Sequence, residues 1–80
     1  MMIVELIDGD DFRDRLVALG LEAPPGASPE VCAERAAAAY AVGELAGLPG
    51  LVDDLLRQRD VVLPAVRDAI ATRLLPALGR

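Results

Sequence analysis

The chain predicts an all-α fold, a compact bundle of four to six short helices, on three observations. Apolar residues recur at helical spacing, as in Phe12, Leu16 and Leu19 at i, i+4 and i+7. Helix-start signals are explicit, above all Ser28-Pro29-Glu30. The third is the interior available: 54% of residues are hydrophobic, yet there is one Phe, one Tyr and no Trp. A core of Leu, Val, Ala and a few Ile suits closely packed helices. Eighty residues make a single domain, 1–80, with a net stability of about 5 kcal/mol expected at this size.

Met2 to Ile7 is apolar except for Glu5. A lone strand would have no evident partner, so a helical turn packed on the bundle is expected. Asp8-Gly9-Asp10-Asp11 then opens a helix, with Asp8 or Asp10 capping free N–H groups and the other acids favouring the positive end of the helix dipole. Asp11 and Arg15 are spaced to pair at i, i+4, and Gly20 is placed to end the helix in a left-handed residue.

Glu22 to Ala27 is a loop stiffened by Pro24 and Pro25. The helix starting at Ser28-Pro29 should run to Glu44 or Leu45, with Val31, Cys32, Ala36, Ala39, Val42 and Gly43 facing inward. Alanine is the best helix former and lets neighbours approach closely, so this helix should be central. Gly47-Leu48-Pro49-Gly50 reads as a turn or a tight junction. In the third helix Leu51, Val52, Leu55 and Leu56 form the inner face, and Asp53 is spaced to pair with Arg57. Asp60 can cap the last helix, but Pro64 marks its start, and Val66, Ile70 and Leu74 line it. Pro76 should bend or end it.

The polar alphabet is narrow. There is no His, Lys, Asn or Trp, and only one each of Ser, Thr, Cys, Gln and Tyr. General acid–base catalysis and activated nucleophiles need a group that exchanges protons near neutral pH, so the expectation is a non-enzyme with no catalytic residues. A single cysteine makes neither an internal disulfide nor a cysteine zinc site, and it fits a reducing, cytoplasmic setting. The net charge of −5 speaks against nucleic acid as partner. The longest apolar run, Ala36 to Gly43, is too short for a membrane span, and the first residues lack a signal-peptide pattern.

Cys32 could be a reactive thiol, but it has no His or Lys to activate it and reads as a buried small hydrophobe. Asp8, Asp10 and Asp11 are too few and too closely spaced for a calcium loop and read as caps. Asp53, Asp54 and Asp60 could be paired acids for hydrolysis, but acids on an outer helical face are ordinarily solvated. No cofactor or metal site is expected. What is left is charge on outer faces: Asp10, Asp11, Arg13, Asp14 and Arg15 on the first helix; Asp53 and Asp54 on the outer face of the third; and Arg57, Arg59, Asp60, Arg67 and Asp68 around the third-to-fourth junction. Such mixed-sign surfaces keep a small domain soluble, or pair with a matching pattern on another protein. Arginine, the only basic residue used, suits pairing through its planar fork.

Phe12 to Pro64 resembles the bacterial effector-associated domains, small adaptors of the death-fold type akin to caspase-recruitment domains. The carrying pattern is Leu19-Gly20-Leu21, then Pro25-Gly26-Ala27-Ser28-Pro29, the small-residue helix Ala33 to Tyr40, Gly47-Leu48, and Leu51-Val52-Asp53-Asp54-Leu55-Leu56-Arg57-Gln58-Arg59. The resemblance implies a death-fold-like bundle that recruits a partner bearing a like domain, through self-association or an adaptor. It would gather proteases, ATPases or other effectors in a bacterial immune or conflict system. It also implies a domain excised from a longer effector or adaptor.

Two other classes fit the length. Acyl carrier proteins are acidic and helical, but their attachment serine lies in Asp-Ser-Leu, where this chain has Ala27-Ser28-Pro29. A small helix-turn-helix regulator would use Arg57, Arg59, Arg67 and Arg73 as a local basic patch against an acidic whole.

Overall fold

The computed structural model describes residues 6–80. It is an all-α bundle, as the sequence predicts. The order is α1 (Gly9–Ala18), α2 (Pro29–Ala41), α3 (Leu48–Arg57), a 3₁₀ turn (Arg59–Val61), and a last helical stretch. That stretch comprises α4 (Pro64–Ala69), a π-helical turn (Ile70–Leu74) and a closing turn (Leu75–Ala77). α2 is central: it packs on α1, on α4 and on the π turn.

The caps arise from local chemistry. Asp8 and Asp11 form a reciprocal capping box at the head of α1, with Asp11 N–H donating to Asp8 Oδ1 at 3.0 Å and Asp8 N–H to Asp11 Oδ2 at 3.4 Å. Ser28 Oγ accepts from Val31 N–H at 3.2 Å while Pro29 occupies the first turn of α2. Gly20, at φ +109°, lets the chain leave α1 through a conformation that side chains resist. Leu45, in the connection from α2 to α3, takes the left-handed region without being glycine: it sits at φ 53° with its side chain buried.

The core is wholly aliphatic apart from Phe12 and Cys32, and no polar or charged residue among those described is buried. Phe12 and Leu16 of α1, Leu48, Val52 and Leu55 of α3, and Val66, Ile70 and Leu74 of the last stretch meet at its centre.

The structure corrects several details. α2 ends at Ala41, and its inner face is Cys32, Ala33 and Ala36, with Ala39 and Tyr40 half-buried. Val31 is exposed, Val42 is 74% exposed, and Gly43 lies outside the helix in the turn. The 3.6-residue period rotates Val31 and Val42 off the face that Cys32 and Ala36 occupy, and the helix stops before Gly43 could return to it. Leu48-Pro49-Gly50 is not a turn but the first turn of α3, where proline loses no needed N–H. Leu48 therefore joins the core, Leu51 is half-buried and Leu56 is exposed. The last helix starts at Pro64 as expected, and no side chain caps it, Asp60 included.

Of the expected N-terminal helical turn, Met2 to Glu5 lie outside the described residues, and Leu6 and Ile7 are not helical. Ile7 instead forms an isolated parallel bridge with Val62. Its N–H donates to Val61 O at 2.7 Å and its carbonyl accepts from Leu63 N–H at 3.0 Å. The partner that an extended segment needs is the Val61–Leu63 stretch, which reads in sequence as mere spacing between helices.

Pro76 explains the π turn. It has no N–H to donate, and in a regular α-helix its ring would strike the carbonyl of Thr72. The helix widens by one residue just before it, so that Leu75 N–H donates to Ile70 O, five residues back. Thr72 Oγ1 meanwhile donates to Asp68 O at 2.7 Å.

Candidate interaction surface

The charged residues singled out in the sequence divide by what the fold asks of them. Asp11 is committed to the capping box. Arg13 is a loop clamp. Its Nε donates to Ala23 O at 3.2 Å and Pro24 O at 3.0 Å, and a terminal nitrogen donates to Ala23 O at 2.8 Å. Its other terminal nitrogen reaches Asp14 at 3.1 Å, and the side chain is only 20% exposed. The planar fork matches the carbonyls of a loop whose prolines cannot satisfy them by helix formation.

Arg15 does not pair with Asp11; it crosses to Asp54 of α3 at 3.7 Å. Asp54 also accepts from Gln58 Nε2 at 3.0 Å and lies 3.9 Å from Arg57. The α1 and α3 charges thus form one shared cluster rather than two. Asp53 pairs not with Arg57 but with Arg80, whose guanidinium engages both carboxylate oxygens. That hydrogen bond holds the Asp53 carboxyl below its ordinary range, helped by the charges of Arg80 and Arg57, and raises Arg80.

Asp10, Arg59, Asp60 and Arg67 are exposed and make no ion pair among the described residues. Arg57 is nearly as free, with a side chain 76% exposed and only the long contact to Asp54.

Sequence reasoning placed Glu30 only at a helix start and Arg73 only in a basic patch, and missed Glu34 and the link among the three. Arg73, on the π turn, hydrogen-bonds Glu30 and lies 3.1 Å from Glu34, tying α2 to the last helical stretch. The hydrogen bond from Arg73 to Glu30, with the charge of Glu34, raises the guanidinium pKa. The legible signal was Glu30 and Glu34 at i, i+4, on one side of a helix. Next to this pair a groove of 660 Å³ opens between the start of α2 and α4, lined by Pro29, Ala65, Ala69 and Thr72, with Asp68 and Arg73 beside them.

Cys32 is fully buried, and burial pushes its thiol pKa up. Its Sγ lies 3.8 Å from Ala27 O. Among the described residues no three His, Cys, Asp or Glu side chains are placed to hold a metal ion. No helix among them is long and apolar enough to cross a membrane.

No protein-family model, curated protein or solved structure matches this chain.

Proposed function

We propose that the chain is a homotypic protein–protein interaction domain. It brings effectors such as proteases or ATPases together in a bacterial immune or conflict system, within the cytoplasm. The observation that carries this reading is what remains once the structural charges are set aside: Asp10 at the head of α1 and, from the end of α3 into α4, Arg57, Arg59, Asp60 and Arg67, all exposed. Arginine and aspartate pairs steer encounter and fix orientation between like surfaces. The domain has no chemistry of its own in this reading. It works by raising the effective concentration of whatever is tethered to it.

The test is sedimentation of the purified chain over a range of concentrations, at low and high salt. Concentration-dependent association that weakens with salt is expected. Arg57→Glu should weaken it with the helical circular dichroism unchanged. A chain that stays monomeric throughout, and captures no like domain in a pull-down, ends the proposal.

A further inference from the structure

The groove between the start of α2 and α4 carries an excess of negative charge that the fold leaves unanswered. Glu30 and Asp68 in its lining stand against the single guanidinium of Arg73, which Glu34 outside the lining also engages. Arg73 is committed to the two glutamates, and Asp68 makes no ion pair among the described residues. Between these charges the lining is of short side chains, the apolar Pro29, Ala65 and Ala69 with the hydroxyl residues Ser28 and Thr72. A site with small apolar walls beside an unpaired carboxylate fits an arginine side chain, whose methylene stem lies on the walls while its fork reaches the acid.

The chain itself presents such arginines. Arg57 and Arg59 are exposed at the end of α3 and in the 3₁₀ turn, and the long Asp54 contact of Arg57 is the single ion pair between them among the described residues. The geometry points to the groove as the docking site for the Arg57–Arg59 edge of a second copy, with Asp68 as the anchoring acid. The two patches share no residue, so the contact is heterologous: a bound pair still offers one free groove and one free edge. This assignment rests on the interaction reading and names its two surfaces.

Two variants separate the surfaces. Asp68→Arg reverses the groove, and Arg57→Glu/Arg59→Glu reverses the edge. All three side chains are exposed, and the Thr72 hydroxyl bonds the backbone carbonyl of Asp68 rather than its carboxylate, so helical content should not change. Each variant alone should self-associate about tenfold more weakly, since like charges then face each other. Each also keeps one intact surface. The Asp68→Arg copy retains a wild-type edge and the double variant a wild-type groove, and the reversed groove and reversed edge carry opposite charge, so an equimolar mixture should regain the association that each variant alone has lost.

Sedimentation of the wild type, each variant and the mixture reads all of this. If the wild type associates and either variant associates equally well, or the mixture associates no better than each variant alone, the groove assignment is overturned while the interaction reading stands. If the wild type does not associate at all, both fall together.

Discussion

Arg13 and Ala23 are joined by two hydrogen bonds from one guanidinium to one carbonyl, at 3.2 and 2.8 Å, and the neighbouring Pro24 carbonyl takes a third at 3.0 Å. A residue that reads in the sequence as surface charge is thus the strut of the α1–α2 loop. Arg13→Ala should cost about 1–2 kcal/mol, because the half-buried Ala23 carbonyl loses its partner. Arg13→Lys should recover little, since an ammonium cannot reproduce the fork. Thermal melts followed by circular dichroism check this, with roughly 4–8 °C expected per kcal/mol at this size. Self-association, where it occurs, should be unaffected by Arg13→Lys below the melting range.

Ser28 serves as the cap of α2, with its oxygen taken by Val31 N–H. Ser28→Ala should destabilise by about 1 kcal/mol, and Ser28→Asp should restore most of that loss. Incubation with a phosphopantetheinyl transferase and its cofactor should leave the mass of the chain unchanged. A mass gain on Ser28 would revive the carrier-protein alternative.

If Pro76 causes the π turn, Pro76→Ala should let the last stretch close to a regular α-helix. The new N–H at position 76 should show slowed hydrogen exchange, and the amide resonances of Thr72 and Arg73 should move as their side chains rotate relative to α2. Resonance changes confined to the residues flanking position 76 would show that the proline is not the cause.

The Asp53–Arg80 pair predicts one source of acid sensitivity. The folded-state pKa of Asp53 is depressed by the Arg80 hydrogen bond, so its contribution to stability is present above the ordinary carboxylate value of about 3.9. It is lost as pH falls through that value toward the lower folded-state one. Asp53→Asn removes this component. Urea titrations at several pH values should show the variant less stable than the wild type near neutrality, with the gap closing as pH falls below the ordinary carboxylate value.

Cys32 should be silent in the native state. Its thiol is buried and its pKa raised by that burial, so at pH 8 a disulfide reagent should label it on the order of 100-fold more slowly than in denaturant. Fast native labelling would contradict the packing described for α2.

The fold was legible where local chemistry decides it. The Ser28 cap, the start at Pro64, the exit at Gly20 and the Val66–Ile70–Leu74 stripe all come from single residues or one helical period. What escaped needs tertiary knowledge. Arg15 has Asp11 at ideal spacing, yet its partner is Asp54 on another helix. Arg13 was legible as a charge, but not as the donor to a loop ten residues on. The groove was illegible because its walls come from α2 and α4, which only the fold brings together, and because Ala65 and Ala69 look in sequence like ordinary helix filler.

The bridge between Ile7 and Val62 also bears on the order of folding. Helices form from near neighbours, whereas this pairing must close most of the chain into a loop before its hydrogen bonds form. The helical body should therefore assemble first, with the segment around Ile7 docking late and detaching early. In native-state exchange, the Ile7 and Leu63 amides should open at a lower free energy than those of α2. The last piece to arrive would be the first to let go.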